Sequence, residues 1–299
     1  MYMWFVLYFA LFSECDGYRN KMLDHAKTVR SFFPNRLFDG DGVTWRSPGT
    51  YNTTLASMAP TYRQFSYAQD QEDLWLYENW FYGVSNGVIM ESGALDGIMY
   101  STSYLFEKFA QWTVIHVEAD PRNFYRLARN RLEAINIHAA LCSEARTLHF
   151  TNDKGSEVQG FVEFMTPMFL RKFHNKIYKN ITKLEDLATV QCVQAKKLLQ
   201  ELSVDHIDVW VLDTEGAELS VLEGTDFSRV HINTIVMECD GSDLMKDQEK
   251  IALLSRNGYG CEYVKRNCFC RHSSFQPSAA PSGVDLQYTG ERNVQKRIE

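Results

Sequence analysis

The sequence has no surplus of basic residues: 31 Lys and Arg stand against 38 Asp and Glu, a net charge of −7. A general nucleic-acid binder needs basic surface to displace counterions, so no nucleic-acid partner is expected. Met1 to Phe12 is almost wholly apolar, but Glu14 and Asp16 follow at once. That run is well short of the roughly 20 residues a membrane-spanning helix needs. There is no C-x-x-C pair with a matching second pair among the seven cysteines, which excludes a zinc ribbon. Cys268-x-Cys270, with Cys261 upstream, are therefore expected to be ordinary half-buried thiols, and no metal is expected. A G-x-G-x-x-G turn is missing too, because Leu95 stands where a glycine would be. An NAD-dependent enzyme is disfavoured accordingly.

What is present is a globular composition, 45% hydrophobic and 23% charged, in 299 residues, enough for one large or two small domains. Met1–Ser13 fits the apolar core of a signal peptide, with cleavage after Ser13, although no basic stretch precedes it. A buried amino-terminal segment is the alternative. If the chain touches a membrane, this is the segment the sequence offers. Asn52-Thr53-Thr54 and Asn180-Ile181-Thr182 are glycosylation sequons compatible with a secretory route. Residues 14–66 read as a loose lead-in, 67–275 as one domain, and 276–299, rich in Pro, Ser, Ala and charge, as a disordered tail.

The domain is organised around Val88-Ile89-Met90-Glu91-Ser92-Gly93-Ala94-Leu95-Asp96-Gly97. A continuous apolar run marks a buried parallel strand, and the glycines let the chain turn tightly near a ligand. Further strands are expected at Val114–Val117, Asn136–Leu141, Ile207–Leu212 and Ile232–Met237, with an extra one at Thr147–Thr151. Helices are expected over Tyr67–Tyr82, Thr102–Phe109, Gln194–Leu202, Ala217–Glu223 and Leu244–Arg256. Another starts at Asp120-Pro121, an N-cap acid with proline in the first turn, and runs to Arg131. The last strands are Tyr259–Val264 and Cys268–His272, paired as a hairpin. Alternating strands and helices of this length mean a mostly parallel sheet with helices on both faces. Asp153–Lys183 shows no clear period and is expected to be a binding loop or lid.

Four strands end in an acid: Glu91, Glu118, Asp213 and Glu238. Such ends lie along one edge of an open α/β sheet, where ligands bind. Glu118 follows Gly93 by about one βαβ unit, the place of an acid that accepts hydrogen bonds from ribose hydroxyls.

The first of these stretches, together with Val209-Trp210-Val211-Leu212-Asp213-Thr214-Glu215-Gly216-Ala217-Glu218, resembles the FkbM-type methyltransferase family. Ala139-Ala140-Leu141-Cys142-Ser143-Glu144, Asn257-Gly258-Tyr259 and Tyr67-Ala68-Gln69-Asp70-Gln71-Glu72-Asp73 are similar to it as well. The resemblance spans Tyr67 to His272. It implies a single Rossmann-like class I methyltransferase domain: a seven-stranded sheet with an antiparallel last strand. It also implies S-adenosylmethionine as donor and O-methylation of a small hydroxylated acceptor, such as a glycan. By resemblance, Glu91, Gly93, Asp96 and Gly97 form the turn around the methionine part of the cofactor. Glu118 takes the ribose, with Ala119 beside the adenine and Leu141 and Cys142 on its other side. Asp213 faces the methyl-bearing end, and Glu215 and Glu218 lie on the acceptor side. Asp213 or Glu215 is the expected catalytic base, while Glu218 suits the electrostatics of a helix start. The same turn also resembles Star-like proteins of the secretory pathway, so a non-catalytic interaction module is the second reading. Nothing in the sequence indicates an oligomeric state.

The amino-terminal run and the sequons yield a test. Expressed in a eukaryotic cell, the chain should enter the secretory pathway, lose or bury Met1–Ser13 and carry glycan. A full-length, unglycosylated chain in the cytosolic fraction would contradict this.

Overall fold

The computed structural model describes residues 49–58, 61–151, 158–180 and 184–281. The signal-like segment and most of the lead-in and tail lie outside the described residues. Twelve strands are formed among the described residues. The first six are Thr50–Tyr51 (β1), Val84–Ser85 (β2), Val88–Ser92 (β3), Thr113–Glu118 (β4), Ile135–His138 (β5) and Ala140–Cys142 (β6). The others are Arg146–Phe150 (β7), Ala188–Gln194 (β8), His206–Leu212 (β9), His231–Glu238 (β10), Tyr259–Val264 (β11) and Asn267–His272 (β12). Seven of them make the main sheet, in the order β11-β12-β10-β9-β3-β4-β5. Only β12 runs against the rest, antiparallel to both β10 and β11. The fold is the expected class I methyltransferase-like α/β sheet.

Its central strands are continuous apolar runs because both faces are covered. Successive side chains point to opposite faces. Met90, Ile115 and Trp210 thus enter one core cluster, and their neighbours Ile89, Val114 and Val209 enter the other. The α-helices among the described residues are Thr53–Ser57 (α1), Glu72–Asn79 (α2), Ser103–Lys108 (α3), Pro121–Asn130 (α4), Pro167–Phe173 (α5), Asn175–Lys179 (α6), Ala195–Glu201 (α7), Glu218–Glu223 (α8) and Leu244–Arg256 (α9). Asp120 caps α4 as the sequence predicts, accepting from the Arg122 amide at 2.9 Å. Beneath the sheet, buried Asp208 accepts from the Val88 amide at 2.9 Å and from Asn233 Nδ2 at 2.9 Å, tying β9 to β3 and β10.

Several expectations need correction. The expected third strand over Asn136–Leu141 is two strands. β5 stays in the main sheet, and β6 leaves it to pair with β8, with β7 on the other side of β8. β8 was not expected because four of its first residues are exposed or half-exposed, so no apolar pattern marks it. The insertion contains two short helices, α5 and α6, whose inward Leu170 and Ile177 pack with Val162 and Met165. The end of the lead-in is folded: Leu55 and Tyr62 are buried in the core, and β1 pairs with β2. The start of the tail is docked rather than disordered. Ser278 exchanges backbone hydrogen bonds with Trp80 and Tyr82, at 2.8 and 2.7 Å, and Phe275 stacks on Phe81. Backbone pairing and one ring hold this piece, which composition does not reveal.

The cysteines are not all thiols. Cys142 is joined to Cys192 and Cys261 to Cys270, while Cys239 and Cys268 are free and buried. Cys261 and Cys270 are direct cross-strand partners. Cys142 and Cys192 are 50 residues apart in sequence and meet only because β6 and β8 are neighbours. A crosslink over a loop of this length restrains the unfolded chain. Replacing both by serine is expected to lower unfolding free energy by about 2–4 kcal/mol in urea titrations. The wild-type protein should lose at least that much stability when reduced.

Candidate functional site

The carboxyl ends of the central strands open into a cavity of about 550 Å³. It is built on a close crossing of two loops. After β3 the chain turns at Gly93 (φ +86°), where a Cβ would overlap the carbonyl oxygen of Asp213. Only glycine lets the turn after β3 lie against the end of β9. The Gly93 amide bonds Val117 O at 2.9 Å, and the Asp213 amide bonds Ser92 O at 3.0 Å. Trp210 Nε1 donates to Ser92 Oγ at 3.0 Å from below.

At one end of the cavity stands Glu118, buried, between the Gly93 turn and Ala119. Its two oxygens accept from the Leu95 amide at 2.8 Å and the Asp120 amide at 2.7 Å. Burial outweighs those bonds and pushes its carboxyl up to about 8. Ala139, Ala140 and Leu141 form an apolar wall opposite, with Phe150 and Phe161 closing over it. Gln159 accepts from Arg122 at 2.8 Å and shuts the outer side.

At the other end lie Asp213, Glu215 and Glu238. Asp213 is exposed to solvent through the cavity. Desolvation, then the charge of Glu218, raises its carboxyl. Glu215 and Glu238 are raised by desolvation too and, next, by the charge of Asp213. Among the described residues no hydrogen bond or ion pair engages the Asp213 or Glu215 carboxylate. Glu238 has Arg266 at 3.8 Å, and Arg266 also pairs with Asp70. Glu215 sits in the left-handed region (φ +53°), followed by Gly216 at φ +94°. Such strain in a non-glycine residue persists only where the surroundings impose it, and it is concentrated at functional sites. The roof comes down onto this loop at Gly160, where a Cβ would meet Glu215 Cβ at 2.9 Å.

The structure brings together Gly93, Glu118, Ala119, Leu141, Asp213 and Glu215 from the sequence reading. It separates others. Glu91 supports the turn from behind: Thr102 N at 2.7 Å and Ser103 Oγ at 2.6 Å donate to it. Burial opposes its charge, but hydrogen bonding from His116 holds its carboxyl below the usual range. It opens only onto an adjoining void of about 40 Å³. Asp96 and Gly97 do not line the cavity. Asp96 turns away to cap the Ile98 and Met99 amides at 3.0 and 2.8 Å, and Gly97 packs on Arg131 and Leu127. Cys142 is absent from the wall too, because its sulfur is committed to Cys192 behind Leu141. Glu218 lines the cavity beside Glu215, as expected, and also performs the helix-start role, accepting from the Thr214 and Gly216 amides at 2.9 and 3.2 Å. Sequence reasoning missed Tyr100, Lys246 and Arg266 as lining residues, while Gln159 and Phe161 come from the Asp153–Lys183 segment expected to be a binding loop or lid. Among the described residues no group of three metal-ligating side chains converges.

A family model described as Methyltransferase FkbM domain matches residues 91–261. Among solved structures, the chain is similar to a methyltransferase FkbM from Methylobacillus flagellatus KT, at 12% identity and TM-score 0.39, covering 84% of this chain and 59% of that one. It is similar to an O-methyltransferase from Bacillus cereus in complex with SAH, at 12% identity and TM-score 0.35, covering 88% and 93%. It is also similar to Aeropyrum pernix fibrillarin with natively bound S-adenosyl-L-methionine, at 12% identity and TM-score 0.32, covering 62% and 66%. No curated protein matches.

The acid cluster has a pH consequence. Glu118, Asp213, Glu215 and Glu238 hold protons in the folded state that they release in the unfolded state. The folded form therefore binds more protons above the ordinary carboxylate range, and stability falls as pH rises from there through neutrality. Thermal midpoints should be lower at about pH 8.5 than at about pH 6. In Asp213→Asn/Glu215→Gln that drop should shrink. An unchanged drop in the double variant would show that these acids are not raised.

Proposed function

The chain belongs to the FkbM methyltransferase family, and from that we propose an S-adenosylmethionine-dependent O-methyltransferase acting on a small hydroxylated acceptor, a glycan hydroxyl being one such group. The observation that carries this reading is one cavity with a ribose-type acid, Glu118, at one end and two unpaired carboxylates, Asp213 and Glu215, at the other. The residues fit the cofactor. Glu118 keeps free lone pairs for a vicinal diol after its two amide bonds. Ala119 and Leu141 offer apolar surface for a flat base. Asp213 faces the crossing of the two loops with an unpaired carboxylate suited to a cationic ligand. When bound, S-adenosylmethionine supplies the methyl group.

The chain's own residues then have three tasks. The roof, Val158 to Phe173, covers the cavity, so that with cofactor and acceptor in place the reacting groups are shielded from water. The loop after β9 orients the acceptor. Asp213 and Glu215 take its proton: a sugar hydroxyl is a poor nucleophile, and a positioned base contributes about 10²–10⁴-fold. Since the charge of Asp213 raises Glu215, the pair titrates as a unit and carries its charge in competition. A secretory location is part of the proposal. The two disulfides favour an oxidising compartment, and the sequon residues Asn52 and Asn180 are exposed.

Two measurements test the reading. Glu118→Ala should weaken S-adenosylmethionine binding by about 1–3 kcal/mol in calorimetry, the scale of two ordinary hydrogen bonds. Unchanged affinity in a folded variant would remove the ribose assignment. With a labelled donor and a panel of hydroxylated acceptors, Asp213→Asn or Glu215→Gln should lower methyl transfer about 10²-fold or more while cofactor affinity changes much less. Parallel loss of both would make the acid a cofactor anchor. Cofactor binding without transfer to any acceptor would favour the interaction-module reading.

A further inference from the structure

The roof has a charge and exposure pattern that covering the cavity does not require. Phe164 to Asn180 contains Arg171, Lys172, Lys176 and Lys179 and no acid, in a chain of net charge −7. All four basic residues are exposed. The inward side of α5 and α6 is fixed by Leu170 and Ile177, which are buried. On the outside, Met168 is 57% and Tyr178 38% exposed. The start of α9 adjoins the roof, because Lys246 Nζ donates to Phe164 O at 2.6 Å. There Leu244 and Met245 are 59% and 67% exposed. Acids border the patch without entering it: Glu163 is bonded to His149 at 2.6 Å and Asp243 accepts from the Lys246 amide at 3.2 Å, while exposed Glu185, Asp186 and Glu249 lie at its edges.

We infer that this face, α5, α6 and the start of α9, docks on an anionic lipid bilayer with the cavity mouth at the surface. Charge complementarity selects the partner: four cations with no acidic partner among the described residues, on an otherwise acidic protein, meet acidic headgroups. The exposed Met, Leu and Tyr select bilayer over a soluble polyanion. Apolar side chains interleaved with Lys and Arg are what an interfacial helix places at the headgroup boundary. Met168 and Lys172 belong to both the docking face and the cavity lining, so the mouth opens through the face. This contact is separate from the one the sequence suggested for Met1–Phe12, and it does not depend on the methyl-transfer reading.

The test is co-sedimentation of the full chain with phosphatidylcholine vesicles, with and without about a third phosphatidylserine, and with no methyl donor present. The protein should partition onto the anionic vesicles, and added salt should weaken it. Lys176→Glu/Lys179→Glu should lose more than about tenfold in partitioning, since each basic residue near such a surface is worth about a factor of five. Leu244→Asp/Met245→Asp should lose partitioning that added salt does not explain. All four sites are exposed, and thermal midpoints verify that the variants fold. Because the amino-terminal segment is the same in every protein, the differences report this face alone. Equal binding by wild type and both variants overturns the proposal. So does heparin binding that depends on the lysines when vesicle binding ignores Leu244 and Met245, which would assign the face to a soluble polyanion.

Discussion

Everything in the cavity depends on how closely the turn after β3 approaches the end of β9. Gly93 lies against the backbone of Asp213, and two backbone hydrogen bonds lock the crossing. The approach brings Glu118 of β4 and the acids after β9 into one space. A side chain at position 93 has no volume to occupy, so any substitution must push the strands' ends apart. The crossing is supported from below by Trp210 on Ser92, and at the far end of the strands by Asp208, which joins β3, β9 and β10.

Around that crossing the protein gathers negative charge and leaves part of it unneutralised. Glu91 is ionised at the cost of a buried network of Thr102, Ser103 and His116. Glu118, buried, and Asp213, Glu215 and Glu238, which face the cavity, are raised instead, by desolvation and by neighbouring acids. Groups held this way destabilise the empty fold and favour a ligand that brings positive charge or donors. The structure thus divides its acids by environment. Glu91, with donors around it, builds the turn, while Glu118, Asp213, Glu215 and Glu238 face open volume.

The parts that complete the cavity come from outside the main sheet. β6 carries Leu141 away into the small sheet with β8, and the Cys142–Cys192 bond holds the two together behind the wall. The insertion supplies the roof, which rests on the loop after β9 through Gly160 and is fastened to α9 by Lys246. Under the proposed function, these peripheral pieces would shape the acceptor's place, while the sheet edge would hold the cofactor.

The sequence by itself determined the main sheet, because a strand covered on both faces needs a continuous apolar run and such runs can be read directly. It also determined the row of strand-end acids, since a strand's end and its residue type are both local. Gly93, Glu118, Asp213 and Glu215 were legible for that reason. The tertiary structure decided which acids open into the cavity. Glu91 and Asp96 are local equivalents of the others, yet distant Thr102, Ser103 and His116 claim the first, and the turn's own amides claim the second. It decided the cysteine pairs, because Cys142 and Cys192 meet through sheet topology across 50 residues. It decided the roof and the docked Ser278 segment as well. Those pieces are held by backbone pairing and by contacts with partners far away in sequence, and no periodicity in a chain records either.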